Sequence, residues 1–195
     1  MTSVRLRRSR VRALLCVANL VPRKGHELLV EALARIRDLD WRLSCVGSLE
    51  RDPATVRAVR RRIRTVGLGR HITLSGEIPP QSVSRAYRAA DAFVLPSFHE
   101  GYGMVYAEAM AHGLPVIATT AGAIPETVPP QAGLLVPPGD RAALARALRR
   151  MIAQPVLAAR LATGSRAAGA RLPDWPQATE TWETAFDRLA ALGPP

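Results

Sequence analysis

Three short stretches of this chain carry residue types that could do chemistry. The first is Pro22-Arg23-Lys24-Gly25, two cations and a glycine set just before a helix-like run. At a helix start the backbone N–H groups lack intrahelical partners and the dipole favours anions, so Arg23 and Lys24 suit a diphosphate. The second is Pro96-Ser97-Phe98-His99-Glu100-Gly101-Tyr102-Gly103-Met104, which leads through Val105 into another helix-like run. Gly101 and Gly103 remove side chains where residues 101–105 would present N–H groups, so a sugar or phosphate could approach the main chain closely. Glu100 precedes that turn, and Glu108 lies about one helical turn inside the next helix. Carboxylates accept hydrogen bonds from vicinal hydroxyls, so one could hold a sugar ring and the other a ribose. The third stretch is Thr119-Thr120-Ala121-Gly122-Ala123-Ile124-Pro125-Glu126. Plainer readings stand beside these. Arg23 and Lys24 also suit a basic surface turn, Glu108 an exposed helix position, and Glu126 the first turn of a helix.

The elements that must position these stretches alternate regularly. Short apolar runs at 13–17, 43–46, 72–74, 92–95, 116–118 and 134–136 read as strands, and amphipathic runs at 26–39, 54–66, 82–89, 105–112 and 141–153 read as helices. In the first helix Leu29, Leu33 and Ile36 share one face. Strands alternating with helices predict an α/β fold: a Rossmann-like, doubly wound parallel sheet of about six strands with helices on both faces. The strands are apolar almost throughout, as doubly covered strands must be. In the strand order 3-2-1-4-5-6 the first and fourth strands are neighbours at the switch point, so the loops holding Lys24 and Glu100 should face each other. Residues 1–155 form this domain, and 156–195 read as a C-terminal helical arm, with helices at 156–170 and 182–192. The last of these places Trp182, Phe186 and Leu189 on one stripe.

Composition narrows the function. With 195 residues and 48% hydrophobic content the chain can bury one ordinary core. There are 27 Lys and Arg against 16 Asp and Glu, a net charge of +11, and Lys24 is the single lysine. This balance suits nucleic acid, anionic membrane or phosphorylated small molecules. No zinc spacing, helix-turn-helix signature or aromatic-rich basic strand supports nucleic acid, and Arg57, Arg60, Arg61, Arg62 and Arg64 read as a solvated helix face. Cys16 and Cys45 each lie in a strand-like run, as buried free thiols of a reducing compartment. The arginine-rich start (Arg5, Arg7, Arg8, Arg10, Arg12) before residues 13–18 superficially resembles a signal peptide, but the apolar stretch is short and runs straight into Pro22 with no small-residue cleavage site. No run approaches the ~20 apolar residues of a spanning helix. The expected location is cytoplasmic, or peripheral at the inner face of the membrane.

Taken in order, the pieces resemble the family 4 retaining glycosyltransferases of the two-domain GT-B type. The matching pieces are Pro22-Arg23-Lys24-Gly25, then Tyr87 with Ala90-Asp91-Ala92-Phe93-Val94-Leu95-Pro96-Ser97, then Glu100-Gly101-Tyr102-Gly103-Met104-Val105-Tyr106-Ala107-Glu108-Ala109-Met110-Ala111. Gly113-Leu114-Pro115-Val116-Ile117-Ala118, Gly122 with Pro125-Glu126, and Gly133-Leu134-Leu135-Val136 with Gly139-Asp140 follow. Glu100 and Glu108 enclose seven residues, the family's paired-glutamate spacing. The resemblance implies that Arg23 and Lys24 neutralise the diphosphate of a nucleotide-sugar donor in place of a metal ion. It implies that Glu100 and the backbone of Gly101, Tyr102, Gly103, Met104 and Val105 hold the sugar, that Glu108 holds the ribose, and that the base sits near Glu77 and Ile78. Many members have Gly-Arg where this chain has Ala18-Asn19, so either Arg23 compensates or diphosphate binding is weaker.

On this resemblance the chain is the donor-binding half of a transferase, with no cofactor and an acceptor that is not legible here. All its recognised site residues lie on the donor side. An N-terminal acceptor-domain partner, or self-association through the stripe on the last helix, is expected, and the chain alone should not turn over steadily. Two rivals stand beside this reading: a non-catalytic nucleotide-sugar-binding module or one subunit of a split transferase, and a basic membrane-surface protein.

Overall fold

The computed structural model describes residues 11–101 and 103–171. Six strands, β1 (Ala13–Val17), β2 (Arg42–Val46), β3 (Ile72–Leu74), β4 (Ala92–Leu95), β5 (Val116–Thr119) and β6 (Gly133–Val136), form one sheet in the order β3-β2-β1-β4-β5-β6. Every pairing is parallel. The order is the one expected from the alternation of elements, and it reverses between β1 and β4. There Leu14 pairs with Ala92 and Leu15 with Phe93. Successive strand residues point to opposite faces, and every residue of β4 and β5 is buried. Both faces of the sheet are therefore covered. This is the Rossmann-like α/β architecture that the sequence predicts.

The helices are α1 (His26–Ala34), α2 (Pro53–Thr65), α3 (Pro80–Ala89), α4 (Met104–Ala111), a short α5 (Ile124–Thr127), α6 (Arg141–Ala153) and α7 (Pro155–Gly169). Their starts follow from local chemistry. Asp52 accepts from the Thr55 N–H at 3.0 Å and Asp140 from Ala143 at 2.8 Å, each satisfying an orphan donor of the first turn. Pro53 and Pro80 open helices where a missing N–H costs nothing. α1 packs between α2 and α6. Glu31 on α1 clips both neighbours, with Arg62 at 3.0 Å and Arg141 at 2.7 Å. α7 lies against α4, burying Leu157, Ala158, Leu161, Ala162 and Ser165. The Ser165 hydroxyl reaches the Leu114 carbonyl at 2.6 Å.

One expected element is shorter than its pattern. The apolar spacing predicts a helix over 26–39, whereas α1 ends at Ala34. Ile36 remains buried, so the periodicity correctly marks the core face. The hydrogen bonding differs: Arg35, Ile36 and Leu39 donate to carbonyls three residues back, and the Ile36 carbonyl is captured by the Trp41 indole at 3.0 Å. The α-helical bonding thus gives way to bonds three residues apart after Ala34, and the Trp41 indole adds a second donor at the Ile36 carbonyl. The expected helix at 182–192, with Trp182, Phe186 and Leu189, lies outside the described residues, as do the arginines before residue 11.

Cys16 and Cys45 are free and buried, opposite each other in the β1–β2 register. His26, the first residue of α1, is 3% exposed and sits 3.6 Å from the Cys16 sulfur. Burial first, and then the charge of Lys24, lower its pKa from 6.5 to about 4. Between those values the unfolded chain takes up a proton that the folded protein refuses. The His26 contribution to stability is therefore present above pH 6.5 and is lost as the pH drops towards 4, by about 3 kcal/mol in all. Urea unfolding of the wild type and His26→Gln across pH 4–7 checks this. The variant should lose that part of the slope, and equal slopes would remove His26 as its source.

Candidate functional site

Three loops meet at the carboxyl ends of β1, β4 and β5. After β1 the chain passes through a 3-10 turn, Pro22–Lys24, and enters α1 at Gly25 with φ 70°. The Arg23 carbonyl accepts from the Phe98 N–H at 2.8 Å, which ties this turn to the loop after β4. Gly25 allows the approach: a Cβ there would lie 2.3 Å from the Pro96 carbonyl oxygen. The loop after β5 is held equally closely. Ala123 N–H donates to the Glu100 carbonyl at 3.1 Å, and a Cβ on Gly122 would lie 2.1 Å from that same oxygen.

At the junction sits a buried carboxylate. Glu100, with a side chain 8% exposed, is ion-paired through Oε1 to Lys24 Nζ, whose side chain is 12% exposed. Ser97 Oγ donates to the same oxygen at 2.7 Å, while Arg23 approaches Oε2 at 3.6 Å from a largely exposed position. Thr119 Oγ1, at the end of β5, donates to the Ser97 carbonyl at 2.6 Å. Each loop therefore contributes to holding one charge pair. A buried charge must be paired and hydrogen-bonded to persist, and this one is.

The helix α4 starts beside Glu100. Gly103 (φ 76°) precedes it, and Met104, 60% exposed, is its first residue. Gly101 is exposed, and Tyr102 lies outside the described residues. The first N–H groups of α4, including those of Met104 and Val105, have no carbonyl one turn earlier within the helix to bind. Glu108, exposed on α4, accepts a 2.9 Å hydrogen bond from the buried Tyr87 hydroxyl. Burial and then the Glu108 charge push the Tyr87 phenol well above its ordinary pKa, so it remains a donor. Its ring is stacked between His112 at 4.9 Å and Phe93 at 6.0 Å, which fixes the hydroxyl.

The structure thus brings Arg23, Lys24 and Glu100 together and sets the glycine turn and α4 alongside. Ile78 is half-buried and Glu77 exposed on the loop after β3, at the same end of the sheet but at its edge. Glu126 instead lines a groove with Met110, Thr127, Gln131 and Arg171 beside α7. Sequence reasoning gave no role to Ser97, Thr119 or Tyr87 as supports of the two glutamates. Tyr87 stands in the motif order, but nothing in the spacing says that its hydroxyl reaches Glu108. Asn19, where an arginine is common in the resemblance, is committed elsewhere: its Oδ1 accepts from the Ser48 N–H at 3.0 Å and braces the loop after β2.

The family model for glycosyl transferases group 1 matches residues 11–154, the whole of the sheet and the loops just described. The chain belongs to this glycosyltransferase family. It is 32% identical over 186 residues to a GDP-mannose-dependent monoacylated alpha-(1-6)-phosphatidylinositol monomannoside mannosyltransferase of Corynebacterium glutamicum, covering 91% of this chain and 45% of that protein. Among solved structures it resembles the C-terminal domain of a group 1 family glycosyl transferase from Francisella tularensis, with 28% identity, a TM-score of 0.73, and 80% and 83% of the two chains covered. It also resembles an Anabaena protein solved in complex with UDP and glucose, with 26% identity and a TM-score of 0.80, covering 91% of this chain and 48% of that one. The chain therefore spans about half the length of the curated relatives it matches. Among the described residues no helix is long and apolar enough to cross a membrane.

Proposed function

We propose that this chain binds a nucleotide diphosphate sugar and is the donor half of a retaining, family 4 glycosyltransferase of GT-B type. The carrying observation is the Arg23–Lys24–Glu100 cluster at the sheet's switch point, next to the free N–H groups of α4. The UDP bound by the Anabaena relative supports the ligand class. In this reading the diphosphate draws Lys24 and Arg23 to itself, which leaves Glu100 free to accept from sugar hydroxyls. As the anomeric carbon–oxygen bond breaks, its electron pair passes to the departing phosphate, where two positioned cations stabilise the charge. The acceptor oxygen bonds to that carbon on the face the phosphate leaves, and the acceptor's proton passes to the phosphate. With two cations in place the reading needs no metal. The acceptor side of the cleft comes from a second unit, in keeping with the chain's half-length match.

A thermal-shift screen with UDP-, GDP- and ADP-sugars tests the reading, since a ligand that binds only the folded state raises Tm. One base should give a clear shift that chelator leaves unchanged. No shift with any of them would overturn the proposal. A companion assay of transfer, with and without candidate acceptor-domain chains, separates a transferase half from a binding module.

The ribose role given to Glu108 makes its own prediction. Glu108→Gln should weaken ribonucleotide binding several-fold more than binding of the 2′,3′-dideoxy analogue, because a carboxylate accepts from both hydroxyls and an amide only in part. Tyr87→Phe, which removes only the supporting hydroxyl, should give the same pattern at about threefold to tenfold. Calorimetric titration of both ligands reads this directly. Equal losses for ribo and dideoxy ligands would detach Glu108 from the sugar edge.

A further inference from the structure

Among the described residues one group of three metal-ligating side chains stands together, and the donor chemistry above makes no use of it. The sulfurs of Cys16 and Cys45 and a ring nitrogen of His26 all lie within 4.8 Å of one another. All three side chains are buried, between 0 and 3% exposed. They come from three elements, and their meeting is dictated by the fold. The β1–β2 register sets Cys16 opposite Cys45, and the 3-10 turn delivers His26 onto the same face two residues after Lys24. His26 is also poorly satisfied. One nitrogen has only the 3.6 Å sulfur contact, and Nδ1 has no hydrogen-bond partner. Orphaned buried polar atoms are few in folded proteins, and each calls for a missing water, ion or function.

We infer that Cys16, Cys45 and His26 form a site for one soft d10 metal ion, of the zinc, cadmium or copper(I) class. Two sulfurs and an imidazole, with no carboxylate among them, select soft or borderline ions over magnesium, calcium or manganese. Metal–sulfur bonds of about 2.3 Å and metal–nitrogen bonds of about 2.0 Å place donors roughly 4 Å apart, so the trio must close by no more than about 1 Å. Rotation of two cysteine side chains supplies that movement. The ion would join β1, β2 and the start of α1, behind the turn that carries Lys24. It would act as a staple rather than as a partner of the diphosphate, and the inference does not rest on the proposed donor binding.

Cadmium(II) is the probe, added to reduced protein in the presence of a non-thiol reductant, with zinc(II) as competitor. The chain has only two cysteines, so any thiolate-to-cadmium charge-transfer absorbance reports on these residues. The expected result is a band that saturates at one cadmium per monomer and a rise in Tm. Cys16→Ala and Cys45→Ala should each lose at least half of the band, and His26→Gln should weaken binding at least tenfold. Because core cysteine variants can fail to fold, the wild type is also titrated in denaturant, where a folded site must bind more tightly than the unfolded chain. A band absent from native protein, present only in denaturant, undiminished in either cysteine variant, or tied to a cadmium-linked dimer would each overturn the inference.

Discussion

Lys24→Ala is expected to cut nucleoside-diphosphate affinity by about 1.5–3 kcal/mol, roughly tenfold to 150-fold, through loss of a charge-assisted bond to the proposed ligand. The same change leaves the Glu100 carboxylate, 8% exposed, with Ser97 and a distant Arg23 as its remaining support. Breaking a buried pair by removing one partner costs about 3 kcal/mol or more, because the desolvation of the other charge goes uncompensated. Lys24→Ala and Glu100→Ala should therefore each be clearly less stable than the wild type. The double variant should recover part of that stability, while its nucleotide affinity stays low. A thermodynamic cycle by urea unfolding, run beside calorimetric titration, separates the two effects. If the double variant loses the sum of both stability losses, the pair is not coupled. If Lys24→Ala binds as tightly as the wild type, Lys24 leaves the site.

The second large effect concerns the backbone. Gly122→Ala places a Cβ 2.1 Å from the Glu100 carbonyl oxygen in a residue with φ 59°. The neighbour is main chain, so it cannot swing aside. A left-handed conformation alone costs an alanine of the order of 1 kcal/mol, and the clash adds loop displacement. A loss of 3 kcal/mol or more is expected, a fall in Tm of about 6–12 °C for a domain of this size. Gly67→Ala is the control. Gly67 has φ 71° and nothing within 4 Å of its would-be Cβ, so it should show the conformational cost alone. Equal Tm losses for the two variants would mean that the loop after β5 yields freely.

The sequence showed most clearly what depends on period and order. Apolar runs and their alternation with helices specified six parallel strands, and the order of β1 and β4 brought the Lys24 and Glu100 loops to one place. What escaped depended on contacts between distant residues. Beyond Ala34 the backbone bonds to carbonyls three residues back and the Trp41 indole joins the Ile36 carbonyl, which no helical pattern can report. The supports from Ser97, Thr119 and Tyr87 are single hydroxyls whose partners only the folded chain defines. The convergence of Cys16, Cys45 and His26 needed the strand register and the 3-10 turn together.

The carbonyls of Pro96 and Glu100 lie where side chains on Gly25 and Gly122 would have to be. Main chain resting on main chain ties the three loops to one another at these two points, so an arriving ligand meets contacts already made during folding. Association then forfeits little further loop entropy, and this lowers the threshold at which weak contacts yield measurable affinity. The arrangement also divides the labour of evolution. Substitution in the loop interiors disturbs all three at once, while Phe98 and Met104, 46% and 60% exposed, can vary without moving the frame. Ligand preference in relatives of this chain should drift at such rim positions while the glycines beneath them hold still.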